Sequence, residues 1–480
     1  MSKDRNDTIF ALASAPGRAG VAVIRVSGPN ADAALRNLTH RPLPAARMAA
    51  IRSLYGNSNK DRIDAALIVR FTAPHSYTGE DVIEFQIHGG PAVTAALLAA
   101  LAAQPGLRAA EPGEFTRRAV LNGRLDLTQA EAIADLVTAE TEAQRRQAFR
   151  QFEGKLGELY EEWRARLIRA AAWIEASIDF ADEDIPASAA AESRSALQWV
   201  ADEIRAHLDD GRRGEILRDG LQVAIIGPPN AGKSSLLNAL ARRDVAIVSP
   251  TPGTTRDVIE VRLDLGGYPV ILADTAGLRD SVDAIEEEGV RRARARAQSA
   301  DLCLLVLDAT QPNLETYPPL EGGSNREAVR GGERCSTIPS PKSPSRSRSN
   351  EISTLPQGEG REDAATIVVW NKADLVTDRT RPGLWVSAKT GEGLPALIAA
   401  LASHAASGLA QNEAPVITRA RYREALGEAV KALDLAVATA EPELAAEHVR
   451  IALRAIGRIT GRVDLDELLD VVFRDFCIGK

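Results

Sequence analysis

The chain has 480 residues, of which 45% are hydrophobic and 26% charged, with a formal net charge of -8. This length predicts two or three domains, and the acidic balance argues against a protein coated in basic residues for nucleic acid. Cys303, Cys335 and Cys477 cannot build a disulfide framework, which indicates a reducing, cytoplasmic compartment. The polar N-terminal segment lacks a signal-peptide core and no apolar window is long enough to span a bilayer, so we expect no membrane partner.

The N-terminal part of the chain, residues 1–121, alternates strand-like apolar runs with an alanine-rich helix after Pro91. The runs are VAVIRVSG, AALIVRF and DVIEFQIHG. This mixture predicts an α+β domain.

Residues 122–215 are typical of long helices and are predicted to form the first half of a helical domain. Apolar residues between Phe149 and Ile178 recur at steps of three and four, which predicts a single long amphipathic helix. Pro186 ends this pattern, and a second helix is predicted from Ala189 to about His207.

Residues 216–400 follow a different pattern, in which short apolar strands alternate with helix-length segments. The strands LQVAIIG, YPVILAD, DLCLLVLD, TIVVWNKAD and GLWVSA predict a Ras-like domain, a parallel-rich α/β sheet with helices on both faces. Residues 311–364 are rich in Ser, Pro, Arg and Gly, and are predicted to be a disordered surface insertion or, alternatively, a basic arm that contacts RNA. Helical character returns in residues 401–480, so the sheet domain is predicted to be inserted into the helical domain.

An irregular turn, GPPNAGKSS, connects the strand LQVAIIG to the next predicted helix. Gly227, Gly232, Lys233 and Ser234 fit the P-loop pattern G-x-x-x-x-G-K-[ST] in the strand-to-helix context that this motif requires. Such glycines let backbone N–H groups and the helix N-terminus face phosphate oxygens. Lys233 is predicted to contact the β- and γ-phosphates, and the Ser234 hydroxyl is a suitable hard ligand for Mg²⁺.

Three further segments end predicted strands in the order typical of GTPases. DTAG (Asp274–Gly277) provides a carboxylate for the magnesium shell and a backbone N–H for the γ-phosphate. NKAD (Asn371–Asp374) offers a carboxylate to the two N–H donors of guanine, which adenine lacks, and SAK (Ser387–Lys389) supplies a second contact with the base. Together with the P-loop, these segments predict that the bound nucleotide is GTP and not ATP.

The glutamine that orients the attacking water in Ras-like proteins is missing from this chain, because Leu278 follows DTAG at that position. Candidates to replace it are the segment SPTPGTTRD, in which Thr255 is a natural Mg²⁺ ligand, and the acidic run that starts at Glu286. Glu287 and Glu288 are interpreted as a solvated helix face. The complete predicted GTP-binding set is Asn230, Ala231, Gly232, Lys233, Ser234, Ser235, Ser249, Pro250, Thr251, Pro252, Gly253, Thr254, Thr255, Asp274, Thr275, Ala276, Gly277, Asn371, Lys372, Ala373, Asp374, Ser387, Ala388 and Lys389.

Several motifs together give the chain a resemblance to a known family. GPPNAGKSS, PGTTRD, DTAGLRD and the terminal FCIGK, with DTIFALASAPGRAGVAVIRVSG, SYTGEDVIEFQIHGG and EPGEFTRRAVLNGRLDLTQAEAIADL nearer the N-terminus, resemble the MnmE (TrmE) family of potassium-dependent tRNA modification GTPases. FCIGK discriminates best, because other P-loop GTPases lack it. The resemblance covers nearly the whole chain and departs clearly only in residues 311–364.

The resemblance implies a way to hydrolyse GTP without the missing glutamine. Asn230 is implied to hold K⁺ beside the phosphates, together with oxygens of Ser249, Thr251 and Thr254. This cation would take the place of an arginine finger and promote face-to-face dimerisation of two G domains. Glu286 is implied to act on the attacking water through a bridging water, and an ordinary exposed acid is the alternative interpretation.

The N-terminal domain resembles the family's folate-binding domain, which implies a homodimer and a bound tetrahydrofolate derivative (5-formyl- or methylene-tetrahydrofolate). Arg25, Glu84 and Arg124 occupy positions of folate contacts, and Lys480 is implied to reach the same site. A pterin presents a donor edge that suits a glutamate, and its glutamate tail suits cations. Without the resemblance, Arg25 and Glu84 would be interpreted as charges on a strand face.

Two cysteines and one histidine are further candidates. Cys477 resembles a catalytic cysteine near the one-carbon unit, and the alternative is a small buried residue beside Phe473 and Phe476. Cys303 lies inside an apolar strand and is predicted to belong to the core. His88 is interpreted as a turn histidine whose ring is satisfied by the backbone, with a ligand role as the alternative.

By resemblance, the implied function is that of a GTPase that works in a heterotetramer with the flavoprotein MnmG (GidA) on certain tRNAs. The pair would add an aminomethyl or carboxymethylaminomethyl group to C5 of the wobble uridine, with FAD and NADH belonging to the partner. A GTPase switch for ribosome assembly is one rival hypothesis, and FCIGK with the folate-like N-terminus argues against it. A GTP-regulated, folate-dependent methyltransferase is another, and it predicts one-carbon transfer without a flavoprotein.

Overall fold

The computed structural model of the chain describes residues 7–56, 61–179, 187–243, 245–247, 260–274, 300–311, 365–408, 415–463 and 479. All but the first residue of the predicted insertion, 311–364, lies outside these ranges. Across them, no helix has both the length and the apolar character that crossing a membrane requires.

Backbone contacts divide the chain into two compact units. One contains Met1–Thr138, Ala148–Asp210 and Pro415–Lys480, and the other contains Ala139–Gln147 and Gly211–Ala414. The second unit therefore interrupts the first in sequence. The predicted division of residues 1–121 from the helical domain, and the boundaries at 215 and 400, stay predictions.

The described helices and strands account for both units. The helices are α1 (Ala31–Thr39), α2 (Pro91–Ala102), α3 (Glu114–Leu121), α4 (Leu127–Thr138), α5 (Glu142–Phe152), α6 (Lys155–Asp179), α7 (Ala187–Leu208), α8 (Arg213–Asp219), α9 (Lys233–Ala241), α10 (Leu394–Gly408), α11 (Ala420–Ala438) and α12 (Pro442–Thr460). The strands are β1 (Thr8–Leu12), β2 (Val21–Ser27), β3 (Ala50–Tyr55), β4 (Arg62–Phe71), β5 (Val82–His88), β6 (Leu107–Ala109), β7 (Leu221–Ile226), β8 (Glu260–Leu265), β9 (Tyr268–Asp274), β10 (Leu302–Asp308), β11 (Ala365–Asn371) and β12 (Leu384–Trp385).

The first unit contains a six-stranded sheet in the order β3-β4-β5-β2-β1-β6. Its pairs are antiparallel except for the parallel pair of β1 and β6. Alternate strand residues such as Ile24 and Phe85 are buried, and they pack with apolar residues of α1 and α2, including Leu35 and Leu97. This alternation, with a helix that starts at Pro91, confirms the predicted α+β fold of the N-terminal part.

Helices α6, α7, α11 and α12 form a second core in the first unit around Tyr160, Trp163 and Tyr422, all of which are buried. The prediction of a single helix across Phe149–Ile178 is wrong, because α5 ends before α6 begins. Gly154 separates the two helices with φ of 88°, a backbone conformation that stops a helix and that glycine adopts without strain. Phe149 is 46% exposed and does not belong to a continuous buried stripe.

A buried ionic cluster links α4 to α11 within the first unit. The carboxylate of Glu131 accepts hydrogen bonds from Arg421 Nε at 3.0 Å, from Arg421 Nη2 at 2.7 Å and from the hydroxyl of Tyr422. Arg419 Nε lies 3.2 Å from the same carboxylate. Burial alone would raise the pKa of Glu131, but Arg421 and Arg419 hold it below its ordinary value. Glu131 therefore stays charged and joins two helices that are distant in sequence.

The second unit contains the other six-stranded sheet, in the order β12-β11-β10-β7-β9-β8. Every neighbouring pair is parallel except β8 and β9, which form an antiparallel hairpin. The predicted parallel-rich α/β sheet is confirmed, although β8 was not predicted and GLWVSA contributes only the strand Leu384–Trp385. Residues on one face pack against α9 and α10, and the opposite-facing Ala224, Ile226 and Cys303 are also buried. The carboxyl ends of β7, β9, β10 and β11 lie at one edge of the sheet.

Candidate nucleotide-binding site

The turn between β7 and α9 brings the chain into unusually close contact with its neighbours. Gly227 has φ of 146°, and a Cβ atom there would overlap the carbonyl oxygen of Val306 in β10. Gly232 has φ of 86°, and a Cβ atom there would overlap the side-chain amide of Asn371. Asn230, between them, also has a positive φ of 61°. The two glycines are thus required by both backbone conformation and space, as a phosphate-binding loop needs.

Lys233 places its charge inside this loop. It is the first residue of α9 and is only 9% exposed. Its ammonium group donates hydrogen bonds to the carbonyl oxygens of Gly227 and Pro228, each at 2.9 Å. Ser234 and Ser235 follow on the first turn of α9 and are exposed. A cation held here, at the positive end of a helix, favours a bound anion.

The side chain of Asn371 connects three of the predicted segments. Asn371 ends β11 and is 2% exposed. Its Nδ2 donates to the carbonyl oxygen of Ala231 at 2.9 Å, and its Oδ1 accepts from the backbone N–H of Ala388 at 3.1 Å. The structure therefore brings the P-loop, NKAD and SAK together at one edge of the sheet.

The two predicted base-binding segments have different exposures. Asp374 is exposed, whereas Ser387 is fully buried and its hydroxyl accepts from the N–H of Thr390 at 3.1 Å. The N–H of Ala373 donates to the carbonyl oxygen of Val386 at 3.0 Å, which joins the two segments. Lys389 is exposed beside them. A buried frame thus carries an exposed carboxylate, the arrangement that recognition of a base edge requires.

Sequence reasoning missed Asp308, which ends β10 at the same edge. Its carboxylate is 2.6 Å from the ammonium of Lys372 and accepts from Thr310 N–H at 3.0 Å and Thr310 Oγ1 at 2.7 Å. Burial by itself would raise the pKa of Asp308. The hydrogen bonds from Lys372 and Thr310 together outweigh burial, so the pKa is lowered overall. The signal was present in DLCLLVLD, which ends in a carboxylate as YPVILAD does.

Other predicted residues of the site fall outside the described residues. Of Asp274, the structure describes the backbone at the end of β9. The remaining predicted residues beyond the described ranges are Ser249, Pro250, Thr251, Pro252, Gly253, Thr254, Thr255, Thr275, Ala276, Gly277, Leu278, Glu286, Glu287, Glu288, Cys477 and Lys480.

The predicted folate contacts Arg25 and Glu84 face each other on neighbouring strands of the first unit. They are register partners in β2 and β5, and Arg25 Nε donates to Glu84 Oε1 at 3.0 Å. The guanidinium carbon lies 5.0 Å from the ring centre of Tyr77 and 5.5 Å from that of Phe115. Two aromatic rings therefore fix the arginine, in contacts that the sequence did not predict.

Arg124, the third predicted folate contact, lies beside the loop that carries Tyr77. Arg124 is exposed, and its side-chain stem would be 3.2 Å from a Cβ atom at Gly79. Near the C-terminus, a Cβ atom at Gly479 would overlap the carbonyl oxygen of Leu12 at the end of β1. The structure thus places Gly479 against β1, the strand that neighbours β2 with its Arg25.

Two family models match the chain. The model described as the MnmE helical domain matches residues 127–477, and that described as the GTP-binding protein TrmE N-terminus matches residues 8–124. The chain belongs to the MnmE family. The tRNA modification GTPases MnmE of Parvibaculum lavamentivorans and Paramagnetospirillum magneticum are each 52% identical to it, over 99% of this chain and 100% of theirs. The mitochondrial 5-taurinomethyluridine-[tRNA] synthase subunit GTPB3 of Danio rerio is 44% identical, over 99% of this chain and 93% of its own.

Membership in the MnmE family confirms the predicted GTPase of tRNA modification. Among the other candidates, Cys303 is core as predicted, since it is 1% exposed and burial raises the pKa of its thiol. The interpretation of His88 is wrong in one respect, because a carboxylate and not the backbone holds its ring. His88 Nδ1 lies 2.8 Å from Asp64 Oδ1, while 75% of the His88 side chain is exposed. A half-buried acid within reach near the start of β4 was not visible from the turn sequence.

We expect the substitution Gly227→Ala to abolish GTP binding and to destabilise the second unit by about 3 kcal/mol. The new methyl group would have to displace the backbone of β10. Gly266→Ala is the matched control, because Gly266 also has a positive φ, of 68°, but nothing lies within 4 Å of its Cβ position. The control should lose about 1 kcal/mol and keep GTP affinity. Urea unfolding and titration with a fluorescent GTP analogue measure both effects; equal losses in the two variants would contradict the close contact.

Proposed function

We propose that the chain is a cytoplasmic GTP-hydrolysing enzyme that works with the flavoprotein MnmG (GidA) in a heterotetramer to modify tRNA. The pair would add an aminomethyl or carboxymethylaminomethyl group to C5 of the wobble uridine, with FAD and NADH bound by the partner. The observation that supports this most strongly is the linkage of P-loop, NKAD and SAK through Asn371, in a chain that aligns over its whole length with named tRNA modification GTPases.

Nucleoside composition of tRNA tests the reaction directly. In cells that lack the gene, we expect the modified wobble uridine to disappear and to return with the wild-type gene, but not with Asp374→Asn, which weakens guanine recognition. Asp378→Asn is a control, since Asp378 is an exposed carboxylate of the same unit. Mass spectrometry of digested tRNA provides the measurement. Unchanged wobble uridines with a ribosome-assembly defect would instead favour a GTPase switch, and modification without the flavoprotein would favour a methyltransferase.

We propose that a monovalent cation at the phosphate site, and not a glutamine, supports GTP hydrolysis. Asn230 is exposed within the P-loop and has a positive φ of 61°. Together with Ser249, Thr251 and Thr254, it would hold K⁺, which would neutralise the charge that develops between the β- and γ-phosphates. Ser234 and Thr255 would bind Mg²⁺, with Asp274 orienting its water. Glu286 would orient the attacking water.

At equal ionic strength, we expect GTP turnover to be fast in K⁺ and to fall by about 10²-fold in Na⁺. Loss of one charge-stabilising group lowers kcat by about this factor. Asn230→Ala should be slow in both salts, whereas Asn238→Ala, on the exposed side of α9, should keep the K⁺ response. Steady-state phosphate release gives the rates. Turnover that does not depend on the cation would rule out this role of Asn230.

The N-terminal sheet offers a matching pair of groups for a tetrahydrofolate derivative, 5-formyl- or methylene-tetrahydrofolate. Glu84 presents a partly buried carboxylate to pterin N–H donors, with Arg25 beside it. Arg124 and Lys480 would add cationic contacts to the folate. In this proposal a homodimer of N-terminal domains binds the folate, which supplies the one-carbon unit for the wobble uridine, and Cys477 would lie close to that unit. Tyr77 and Phe115 would keep Arg25 in place.

We expect Glu84→Gln to weaken binding of 5-formyl-tetrahydrofolate by about tenfold, because a charge-assisted hydrogen bond becomes a neutral one. Asp32→Asn is the matched control. Asp32 also pairs with an arginine of this sheet, Arg70, at 2.6 Å, and its side chain is 19% exposed against 22% for Glu84. Isothermal titration compares the affinities, and GTP turnover in K⁺ should stay unchanged in both variants. Equal folate affinity in Glu84→Gln and wild type would contradict the assignment.

A further inference from the structure

Asp308 is a nearly buried acid at the edge of the sheet where the nucleotide-binding segments meet. Only 7% of its side chain is exposed, against 35% for its partner Lys372. Both hydrogen bonds from Thr310 go to Oδ1, at 3.0 Å from N–H and 2.7 Å from Oγ1, and the Lys372 ammonium contacts Oδ2 at 2.6 Å. Thr310, two residues after Asp308, therefore fixes the carboxylate through Oδ1, and Oδ2 binds the lysine.

The backbone of Lys372 is held in an uncommon conformation. Its φ of 63° is in the left-handed region, which side-chain-bearing residues seldom occupy without compensation. The neighbours Asn371 and Ala373 are tied to the P-loop and to Val386, so the backbone at position 372 cannot relax. What remains to be fixed is the long side chain, which is partly exposed and rich in rotamers.

We propose that Asp308 is a positioning residue for guanine nucleotide binding, which acts by holding the side chain of Lys372 along the nucleoside side of the site. Without a fixed counter-charge, the lysine side chain would distribute over several rotamers. Thr310 sets the orientation of Asp308. This role rests on the proposed GTP site and is independent of the proposed tRNA chemistry.

A double-mutant cycle separates positioning from general stabilisation. Asp308→Asn should raise the dissociation constant of GDP and the KM for GTP by about tenfold, as expected for the loss of a charge-assisted hydrogen bond, with kcat within twofold of wild type. Lys372→Met should raise them by a similar factor. The double variant should be no worse than Lys372→Met alone, since Asp308 acts through that side chain.

Two further variants keep the test decisive. Asp378→Asn removes an exposed carboxylate that also caps a threonine two residues later, with Asp378 Oδ1 3.2 Å from Thr380 N, and it should leave GDP affinity unchanged. Thr310→Val keeps the charge of Asp308 but removes one of the two hydrogen bonds from Thr310, and it should raise the dissociation constant of GDP two- to threefold. This variant decides the outcome if Asp308→Asn fails to fold. Additive losses in the double variant, or unchanged GDP affinity in Asp308→Asn and Thr310→Val, would overturn the proposal. If the wild-type chain fails to bind GDP, the proposed GTP site itself is wrong.

Discussion

The nucleotide site depends on one buried side-chain amide, that of Asn371. It satisfies a buried carbonyl of the P-loop and a partly buried N–H of the SAK segment. A buried backbone group left without a partner costs about 1–3 kcal/mol. The amide also fills the space where a side chain at Gly232 would be. Glycine at that position is thus required by the packing of β11 against the loop as well as by the approach of a phosphate.

In the first unit, an ionic cluster holds together segments that are distant in sequence. Glu131 is buried with two arginines and a tyrosine, and each of these groups is costly to bury alone. Removing the acid would leave Arg421 without its carboxylate partner, whereas Arg419 would keep its 2.8 Å contact with Asp135 Oδ1. The cluster at Glu131 therefore favours one arrangement of α4 and α11. In both units, therefore, segments distant in sequence are held by specific polar groups inside otherwise apolar packing.

The sequence predicts most of what local patterns control. Short apolar runs located the central strands, and the polar residues at their ends located the P-loop, NKAD and SAK. The apolar pattern failed where a single backbone angle ends a helix. Gly154, with its positive φ, separates α5 from α6, although the apolar spacing continues across it. They also failed for partners from other segments, as with Asp64 of β4 beside His88 and Tyr77 of a loop beside Arg25. Asp308 could have been found from its position at a strand end, but its pairing with Lys372 is a non-local contact that a single sequence does not encode visibly.

The ionic cluster at Glu131 also has a consequence for the order of events during synthesis. Arg419, Arg421 and Tyr422 follow the entire second unit in the chain, so a nascent polypeptide exposes Glu131 long before its counter-ions leave the ribosome. The inserted GTPase unit can complete its own sheet first. The helical core of the first unit has to wait, with α6 and α7 incompletely covered, until α11 and α12 have been translated.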